Sequence, residues 1–243
     1  MITRVALVTG GSRGIGAAIV GQLARDGYDV AFSYARNEKA ALETVEQLKS
    51  TGRKIVPVQA DGGSVAGNKH VIAETVKIFG RLDVLVCNAG IYPYGPIDEM
   101  SVEQIEQVLN LNVRSVMVET SEAVKHMTKG SRLIYIGSAF GARAPFPGVS
   151  LYAATKAALR GFAQGVARDL GPRGITANVV EPGPIDTDLN PATGESARLI
   201  GSFTATGSYG TVQDIADMVS YLASPKAGYI TGAALPVDGG LEA

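Results

Sequence analysis

Two residues four positions apart form the pair in this sequence that could do acid and base chemistry. They are Tyr152 and Lys156, in the segment LYAATK that runs from Leu151 to Lys156. In a helix this spacing places both side chains on one face. A phenol loses its proton near pH ~10, and a neighbouring ammonium group favours the phenolate, so the pair predicts a general acid or base that works near neutral pH. The alternative is a surface tyrosine packed on a lysine stem, since this spacing also arises by chance.

A glycine-rich segment near the start of the chain is the second candidate for chemistry. The sequence TGGSRGIG contains Gly10, Gly14 and Gly16, follows the apolar run Val5 to Val8 and precedes the helix-like segment AAIVGQLARDG. Strand, glycine turn and helix in this order can bind a diphosphate, because missing side chains let the anion approach the first amides of the helix. An ordinary loop between a strand and a helix is the alternative.

The elements that must position these residues follow from alternating patterns along the chain. Seven apolar runs, separated by helix-like segments, read VALVTG, DVAFSY, KIVPVQA, DVLVCN, RLIYIGS, ITANVVEP and AALPV. Their nearly continuous apolar character predicts a doubly wound parallel α/β sheet of about seven strands with helices on both faces. Ligands bind at the carboxyl ends of such strands, where Gly10, Asp61, Asn88, Ser138 and Pro182 fall. We therefore expect these residues to converge on one cleft.

Composition sets the broad class. With 243 residues, 46% hydrophobic and 19% charged, the chain suits a single domain spanning residues 1–243. Residues 184–210 are rich in Gly, Ser, Thr and Pro and are predicted to form a substrate lid within that domain. The formal net charge of −1 gives no reason to expect a nucleic-acid or membrane partner.

Three features of the sequence bear on disulfide bonds, metal binding and cellular location: its cysteine, its histidines and its first residues. Cys87 is the single cysteine, so an intramolecular disulfide is excluded, and its place at the end of DVLVC predicts a buried thiol. His70 and His126 are the two histidines and lack a spaced partner, so we expect surface residues and no metal site. The chain enters its first apolar run without a signal-like segment, and we expect a cytoplasmic protein.

Five motifs, taken together, resemble the short-chain dehydrogenase/reductase family. They are TGGSRGIG, NAG at Asn88 to Gly90, Ser138, YAATK, and PG at Pro182 to Gly183, in that family's order and over essentially the whole sequence. The resemblance implies a Rossmann-type oxidoreductase that uses a nicotinamide cofactor. It does not name a substrate.

The resemblance also implies roles for four catalytic residues. Tyr152 would stabilise and protonate the carbonyl oxygen on which hydride transfer builds negative charge, and Ser138 would donate to the same oxygen. Lys156 would hold the ribose hydroxyls and lower the pKa of Tyr152. Asn112, in VLNLNV, would position a water for proton relay, with Asn110 as the nearby competitor. A helix-capping role is the alternative for Ser138.

The choice between NADPH and NADH is predicted from two arginines. Arg36 lies twenty positions after Gly16, where an NAD site usually has an acidic residue, and Arg13 lies inside the glycine loop. Two guanidinium groups could flank a ribose 2′-phosphate, so the sequence predicts NADPH/NADP. The alternative is that these arginines are solvated and Glu38 approaches the ribose hydroxyls.

The remaining predicted cofactor contacts come from the resemblance. Asp61 would contact the adenine, with a helix N-cap as its alternative role, and Thr187 would bind the nicotinamide carboxamide beside a backbone contact from Ile185, with a simple turn as the alternative there. The full set of predicted cofactor-binding residues is Gly10, Ser12, Arg13, Gly14, Ile15, Gly16, Tyr34, Arg36, Asn37, Asp61, Asn88, Ala89, Gly90, Tyr152, Lys156, Pro182, Gly183, Ile185 and Thr187.

The expected activity is reduction of a small-molecule ketone to a secondary alcohol with NADPH. Aromatic residues on loops beside the predicted cleft indicate a bulky or cyclic carbonyl compound, and Arg143 could pair with an acidic one; the loop residues concerned are Tyr92, Tyr94, Phe140, Arg143 and Phe146. Two alternatives stay open: a regulatory protein that binds cyclic di-GMP, as in a smaller bacterial branch of the family with a similar PGPIDTDLNPATG run, and a 3-oxoacyl-carrier-protein reductase.

The acyl-carrier-protein alternative needs a basic patch beside the cleft, because that partner is acidic. The candidates are Lys125, Lys129, Arg132 and Arg173, which are scattered in the sequence. The family resemblance further implies a homotetramer, built through helices near Ser101 to Met127 and Leu151 to Leu170. Packing of these helices within one chain is the alternative.

Overall fold

The computed structural model describes residues 3–243 and has one seven-stranded sheet at its centre. The strand order is β3-β2-β1-β4-β5-β6-β7, and every neighbouring pair is parallel. The strands are β1 (Val5–Val8), β2 (Asp29–Tyr34), β3 (Ile55–Gln59), β4 (Val84–Cys87), β5 (Arg132–Ile136), β6 (Thr176–Pro182) and β7 (Ala234–Val237). The doubly wound parallel sheet predicted from the seven apolar runs is confirmed.

Helices cover both faces of the sheet and enclose two apolar cores. The helices are α1 (Gly14–Arg25), α2 (Glu38–Gln47), α3 (Val65–Phe79), α4 (Val102–Leu109), α5 (Ser115–Ala123), α6 (Ser150–Leu170), α7 (Glu195–Gly201) and α8 (Val212–Ala223). Phe32 and Ile19 belong to the core under α1 and α8, whereas Leu7 and Tyr135 belong to the core under α3, α5 and α6. All four are fully buried, which explains why the central strands are apolar on both sides.

The order in which successive strands are added to the sheet reverses between the neighbouring strands β1 and β4. Strands β1 to β3 proceed towards one edge, and β4 returns to pair with β1 on its other side. The loops that leave β1 and β4 therefore diverge and open a crevice at their carboxyl ends. This switch point is where the glycine loop and Asn88 emerge.

The segment predicted as one helix from Ser101 to Met127 is interrupted. α4 ends at Leu109, a π-helical turn occupies Asn110–Arg114, and α5 begins at Ser115. The hydroxyl of Ser115 donates to the Leu111 carbonyl at 2.5 Å, which occupies a carbonyl inside the widened turn. The wide turn carries the buried Asn112, whose partners lie in other elements, so the sequence pattern of the helix alone could not predict it.

The predicted lid leaves the sheet and returns to it at one place. Ile185 and Gly210 form a parallel bridge, so residues 184–210 make an excursion from the edge of the crevice. The excursion contains α7, a helix of fewer than three turns.

None of the helices within residues 3–243 is both long enough and apolar enough to cross a membrane. The same residues include no group of three or more His, Cys, Asp and Glu side chains that could hold a metal ion. His70 and His126 are exposed, and Cys87 is buried, as expected.

Candidate active site

Helix α6 brings Tyr152 and Lys156 together at the crevice. The Lys156 ammonium nitrogen lies 5.5 Å from the centre of the Tyr152 ring, on the same face of the helix. Nζ also donates to the Ile136 carbonyl at 2.8 Å, at the end of β5, and the lysine is buried. The ammonium is thus fixed between α6 and the sheet.

Burial shifts the pKa values of these two groups in opposite directions. Desolvation raises the pKa of Tyr152 to about 12, and a hydrogen bond with Ser138 opposes that rise. Desolvation lowers the pKa of Lys156 to about 8. The expected lowering of the Tyr152 pKa by Lys156 is not seen in this structure, because loss of water around the phenol is the dominant effect.

Ser138 follows β5 and faces Tyr152 while it also serves the local backbone. Its Oγ accepts a hydrogen bond from the Phe140 amide at 3.2 Å and caps a single 3-10 turn, Ala139–Gly141. A Cβ built on Gly141 would lie 2.9 Å from the Lys156 carbonyl carbon, so this turn packs directly on α6. The capping role and the position beside the tyrosine occur together.

Asn112 joins the loop after β4 to α6. Its Nδ2 donates to the Ile91 carbonyl at 2.9 Å and to the Thr155 hydroxyl at 3.2 Å, and its Oδ1 accepts from the Ile91 amide at 2.9 Å. The Thr155 hydroxyl in turn donates to the Tyr152 carbonyl. Asn110, the competing residue, is only partly buried at the start of the π-helical turn. The structure therefore brings Asn112, and not Asn110, to the site.

The glycine loop has the shape that a diphosphate requires. Gly10 and Gly14 have φ values of +67° and +53°, which other residues rarely adopt. A Cβ on Gly16 would lie 2.1 Å from the Gly10 carbonyl oxygen, so the loop and the start of α1 pack without a side chain between them. No side chain within residues 3–243 caps α1 at its N-cap, Arg13, and the first amides of α1 are available for an anion.

The NAG turn after β4 closes against the glycine loop. Asn88 Nδ2 donates to the carbonyls of Thr9 and Gly10 at 2.9 and 3.1 Å. The Ala89 amide donates to the Thr9 hydroxyl, and a Cβ on Gly90 would lie 3.8 Å from Lys156 Nζ. The side chain of Asn88 thus holds the glycine loop against the turn after β4, and Gly90 leaves room beside the lysine.

The residues predicted at the ribose differ in their surroundings. Arg13 and Arg36 are both exposed, and Arg13 forms an ion pair with Asp188 of the lid at 3.8 Å. Asn37 caps α2, because its Oδ1 accepts from the Ala40 amide at 3.0 Å. Tyr34 is buried at the end of β2, Ser12 and Ile15 are partly buried in the loop, and Glu38 is exposed in the first turn of α2.

Asp61 does not cap helix α3, which was the alternative role given to it in the sequence analysis. The N-cap of α3 is Ser64, which accepts from the Gly67 amide at 3.0 Å, whereas Asp61 Oδ1 accepts from the Gly63 amide at 2.9 Å. The exposed Asp61 lies two residues after the end of β3, on the carboxyl side of the sheet. The N-cap alternative is wrong.

The PG motif and Thr187 border the crevice on the lid side. Pro182 ends β6, Gly183 follows it, and Ile185 is buried at the base of the lid. The Thr187 methyl group would lie 3.6 Å from a Cβ on Gly14, so this threonine stands beside the glycine loop. Its Oγ1 accepts from the Asn190 amide at 3.1 Å, so it also forms a turn.

An aromatic cluster extends from the ring of Tyr152 towards the lid. The Tyr92 ring lies 4.8 Å from the Tyr152 ring at 90°, and Phe140 lies 5.4 Å from Phe146. Phe203 of the lid extends the cluster, with its ring 6.3 Å from that of Phe146. The aromatic cluster comprises Tyr92, Tyr94, Phe140, Phe146, Tyr152 and Phe203.

The structure gives one predicted loop residue a backbone partner and adds one residue that the sequence analysis did not name. Arg143 Nη1 donates to the Leu241 carbonyl at 2.8 Å, so it is engaged by the backbone after β7 and the suggested pairing with an acidic substrate gains no support. Phe203 lies in the predicted lid, among Gly, Ser and Thr residues that give no periodic signal that would have found it.

Comparisons with known proteins agree with this geometry. A family model described as enoyl-(acyl carrier protein) reductase matches residues 10–242. The cyclic-di-GMP-binding biofilm dispersal mediator protein of Escherichia coli (strain K12) is 40% identical over 240 residues, covering 99% of this chain and 98% of that protein. Hydroxynaphthalene reductase arp2 of Aspergillus fumigatus is 39% identical over 243 residues, covering 94% of this chain and 89% of that protein.

Solved structures extend the agreement to the whole backbone. A short-chain dehydrogenase/reductase from Serratia marcescens BCRC 10948 superposes with a TM-score of 0.98 at 46% identity, over 100% of this chain and 99% of that one. A blue fluorescent protein from a metagenomic library, solved with NADPH, has a TM-score of 0.97 at 48% identity, over 99% and 98% of the two chains. A short chain dehydrogenase from Burkholderia cenocepacia J2315, solved with NADP, has a TM-score of 0.97 at 44% identity, over 100% and 99%.

The cofactor predicted from the sequence is thus the one held in both of these cofactor-bound neighbours. The match of the family model to nearly the full length and the identities above 30% settle the classification. This chain belongs to the short-chain dehydrogenase/reductase family of oxidoreductases, as its five sequence motifs predict.

Proposed function

We propose that this chain binds NADPH and uses it to reduce a ketone to a secondary alcohol. The observation that carries the proposal is the convergence of Ser138, Tyr152 and Lys156 beside a glycine loop, at the switch point of the sheet. A protein that only binds a nucleotide has no need of a buried phenol and ammonium aimed at one crevice.

The pKa values fit a general acid in the reductive direction. NADPH, when bound, supplies the hydride that adds to the carbonyl carbon. A phenol with a pKa of about 12 is protonated at neutral pH, so Tyr152 can give its proton to the carbonyl oxygen as negative charge builds there. Ser138 would donate a hydrogen bond to the same oxygen and orient it. Lys156 would hold the ribose hydroxyls of the cofactor, and α6 fixes the distance between Lys156 and Tyr152.

The preference for NADPH over NADH is proposed to come from Arg13 and Arg36. Arg13 is exposed in the glycine loop and Arg36 is exposed just after β2, and both can make charge-assisted hydrogen bonds to a 2′-phosphate. The cofactors in two solved neighbours, NADPH and NADP, support this assignment.

The substrate proposed is a bulky or cyclic ketone. The aromatic cluster offers ring faces and edges against which a flat apolar body can pack while its carbonyl meets Tyr152. Relatives named hydroxynaphthalene reductase and versicolorin reductase 1, at 39% and 36% identity, support a ring-containing substrate. Residues 184–210 would act as its lid within a single domain of residues 1–243.

Turnover on a chosen panel of carbonyl compounds tests this function. NADPH consumption would be followed with cyclic ketones, β-keto esters and an acyl-thioester mimic, and the alcohol product identified by mass spectrometry. We expect the cyclic ketones to turn over fastest. Failure to form any alcohol while NADPH still binds would contradict the proposal.

A second candidate function is binding of cyclic di-GMP without reduction. The relative from Escherichia coli that carries this ligand in its name is 40% identical over 99% of the present chain. Calorimetric titration of cyclic di-GMP, with and without saturating NADPH, tests it. Binding with no ketone turnover would place this function first.

The acyl-carrier-protein alternative has weaker support in the structure. Arg132 is buried at the start of β5, and Arg173 donates to the carbonyls of Val124 and Met127. Lys125 pairs with Glu122. These residues lie near the amino-terminal edge of the sheet, opposite the crevice, so they do not form the basic patch that an acidic carrier protein needs there.

We also propose a cytoplasmic homotetramer, with α4, α5 and α6 at the contacts between copies. Apolar side chains at Val102, Leu109 and Met117 are exposed along α4 and α5, and the Gly161 surface of α6 has open space beside it. Light scattering coupled to size exclusion is expected to give the mass of four chains. A monomeric mass would remove this proposal.

A further inference from the structure

An arginine on the catalytic helix is held by two carboxylates from distant parts of the chain. Arg160 lies about one helical turn beyond Lys156 on α6. Its Nε and Nη2 donate to the two carboxylate oxygens of Glu181, each at 2.5 Å. Nη2 also donates to Glu242 at 3.1 Å. A bidentate pair of this kind fixes both distance and angle between the elements that carry it.

Glu181 connects this pair to the strand end that carries Ser138. Glu181 lies in β6 and is fully buried. A Cβ built on Gly137 would lie 3.1 Å from Glu181 Cγ, so the glutamate side chain packs against the backbone immediately before Ser138. The Arg160–Glu181 pair therefore joins the helix of Tyr152 to the support of Ser138.

Glu242 extends the connection to the lid. It ends the segment 238–242, which follows β7. In this segment the Gly239 carbonyl accepts from the Thr206 amide of the lid at 3.0 Å, and the Leu241 carbonyl accepts from Arg143 on the loop after Ser138. The segment 238–242 thus contacts the lid, the Ser138 loop and, through Glu242, the catalytic helix.

Loss of Arg160 would leave the buried carboxylate of Glu181 without its ion-pair partner. Burial raises the pKa of Glu181, and the hydrogen bonds from Arg160 oppose that rise. If Arg160 is removed, the Glu181 carboxylate stays in the interior without its partner, and the strand and helix can relieve this only by moving or by admitting a proton or water. Either response displaces the groups packed on them.

We infer that Arg160, Glu181 and Glu242 are positioning residues for the reduction, which set the distance between Ser138 and Tyr152 and couple it to the lid. They do not touch the reacting atoms. This inference rests on the proposed function, since it takes Tyr152 as the acid. A displacement of about 1 Å at the reacting groups can cost on the order of 100-fold in rate, so the effect should appear in kcat.

The test compares Arg160→Met and Arg160→Lys with a matched ion pair elsewhere. Arg81 donates to both oxygens of Asp83 at 2.8 and 2.7 Å, at the opposite edge of the sheet, and the two arginine side chains are 35% and 31% exposed. Arg81→Met therefore controls for the loss of a bidentate pair away from the crevice. The measurements are kcat, its pH profile, the dissociation constant of NADPH, and the melting temperature.

We expect Arg160→Met to lower kcat by roughly 10- to 100-fold and to shift the alkaline limb of the kcat profile, with NADPH affinity changed far less. Arg160→Lys should recover part of kcat, since it keeps the charge without the bidentate geometry. Arg81→Met should lower the melting temperature by a similar amount and leave kcat and its profile unchanged. A folded Arg160→Met protein with the kcat and pH profile of the wild type would overturn the inference.

Glu242→Gln decides the matter if Arg160→Met does not fold, because it leaves the Arg160–Glu181 pair in place. A fall in kcat of about threefold at an unchanged melting temperature supports the inference, and an unchanged kcat overturns it. Tyr152→Phe separates this result from the proposed function. If the wild type forms no alcohol from any ketone, the proposed function fails; if Tyr152→Phe retains turnover, the assignment of Tyr152 as the acid fails. If Tyr152→Phe abolishes turnover while the Arg160 and Glu242 variants match the wild type, only the positioning role fails.

Discussion

At the residue scale, desolvation keeps the phenol of Tyr152 protonated at neutral pH. It also brings the pKa of Lys156 close to neutral pH. Burial raises the pKa of Tyr152 to about 12 and lowers that of Lys156 to about 8. Both shifts favour the neutral form, which is the less costly form in a site with little water. The phenol therefore keeps its proton across the neutral range, while the lysine changes charge just above it.

The pH dependence of cofactor binding should follow Lys156. The protonated fraction of a group with a pKa of about 8 is high at pH 7 and falls as pH rises through 8. If the ammonium form holds the ribose hydroxyls, the KM for NADPH should rise several-fold between pH 7 and pH 9.5. Lys156→Met should have a high KM at every pH in this range. A wild-type KM that stays flat over the same range would rule out this role for the ammonium.

Replacement of Arg36 by Asp should reverse the preference for the phosphorylated cofactor. An aspartate would repel the 2′-phosphate of NADPH and could accept hydrogen bonds from the ribose hydroxyls of NADH. The ratio of kcat/KM for NADPH to that for NADH should fall by at least about tenfold, the effect of losing one charge-assisted contact. Lys39→Asp adds the same negative charge on the exposed start of α2 and is the control. Equal effects in both variants would show that Arg36 has no special position.

At the element scale, the features that escaped prediction depend on contacts between elements. Alternation of apolar runs was enough to predict the strands, because a strand buried on both faces has little choice of residues. The π-helical turn at Asn110–Arg114 could not be predicted, since Asn112 bonds to Ile91 and Thr155, which belong to other elements. The ion pair between Arg13 and Asp188 likewise joins two loops far apart in sequence.

Helix α5 carries a buried carboxyl group that should make stability depend on pH. Burial raises the pKa of Glu119 to about 7, and hydrogen bonds from Cys87 and Asn68 oppose the rise. Because the folded pKa is above the unfolded value of 4.5, the folded state binds the proton more tightly. The free energy of unfolding should therefore fall as pH rises from about 4.5 to 7, by on the order of a few kcal/mol from this group.

Glu119→Gln should remove that slope, because an amide does not titrate. Urea denaturation at several pH values between 4.5 and 8 measures it, with Glu122→Gln, a partly exposed glutamate on the same helix, as the control. An unchanged slope in Glu119→Gln would assign the pH dependence to other groups.

The lid should contribute to substrate affinity through Phe203. Its ring lies 6.3 Å from that of Phe146 and closes one side of the aromatic cluster. Phe203→Ala should raise the KM for a cyclic ketone about three- to tenfold, since an aromatic contact contributes roughly 0.5–1.5 kcal/mol. The KM for NADPH should hardly change. Leu199→Ala, on the exposed face of α7, is the control, and a matching rise in its KM would contradict a specific role for Phe203.

At the scale of the whole molecule, the architecture and the approximate place of the site could be predicted from the sequence. The contacts between side chains that support the site could not. The glycine loop, the NAG turn and Ser138 follow β1, β4 and β5, which are neighbours in the sheet, so these three motifs meet at its carboxyl edge, and Tyr152 comes next in the chain, on α6. The support behind the site was not predictable. Arg160, Glu181 and Glu242 are ordinary charged residues in the sequence, and only the folded chain brings them together.

The backbone shared across the family explains why membership of it does not by itself determine the substrate. The backbone superposes on a solved relative with a TM-score of 0.98 at 46% identity, so much of the sequence differs on one architecture. Substrate choice depends on side chains of the lid and loops, which vary while the sheet is kept. The aromatic cluster is the part of this molecule that the choice of ketone should follow.

The most direct test of the account is the single-turnover rate of Tyr152→Phe against the wild type. Both proteins would be saturated with NADPH, with binding checked by cofactor fluorescence, and mixed with the cyclic ketone that the wild type reduces best. We predict a loss of at least about 100-fold in the rate of NADPH oxidation, with NADPH affinity nearly unchanged, because one hydroxyl that donates the proton is missing. A rate close to that of the wild type would contradict the assignment of Tyr152 as the acid, and with it the proposed reduction mechanism.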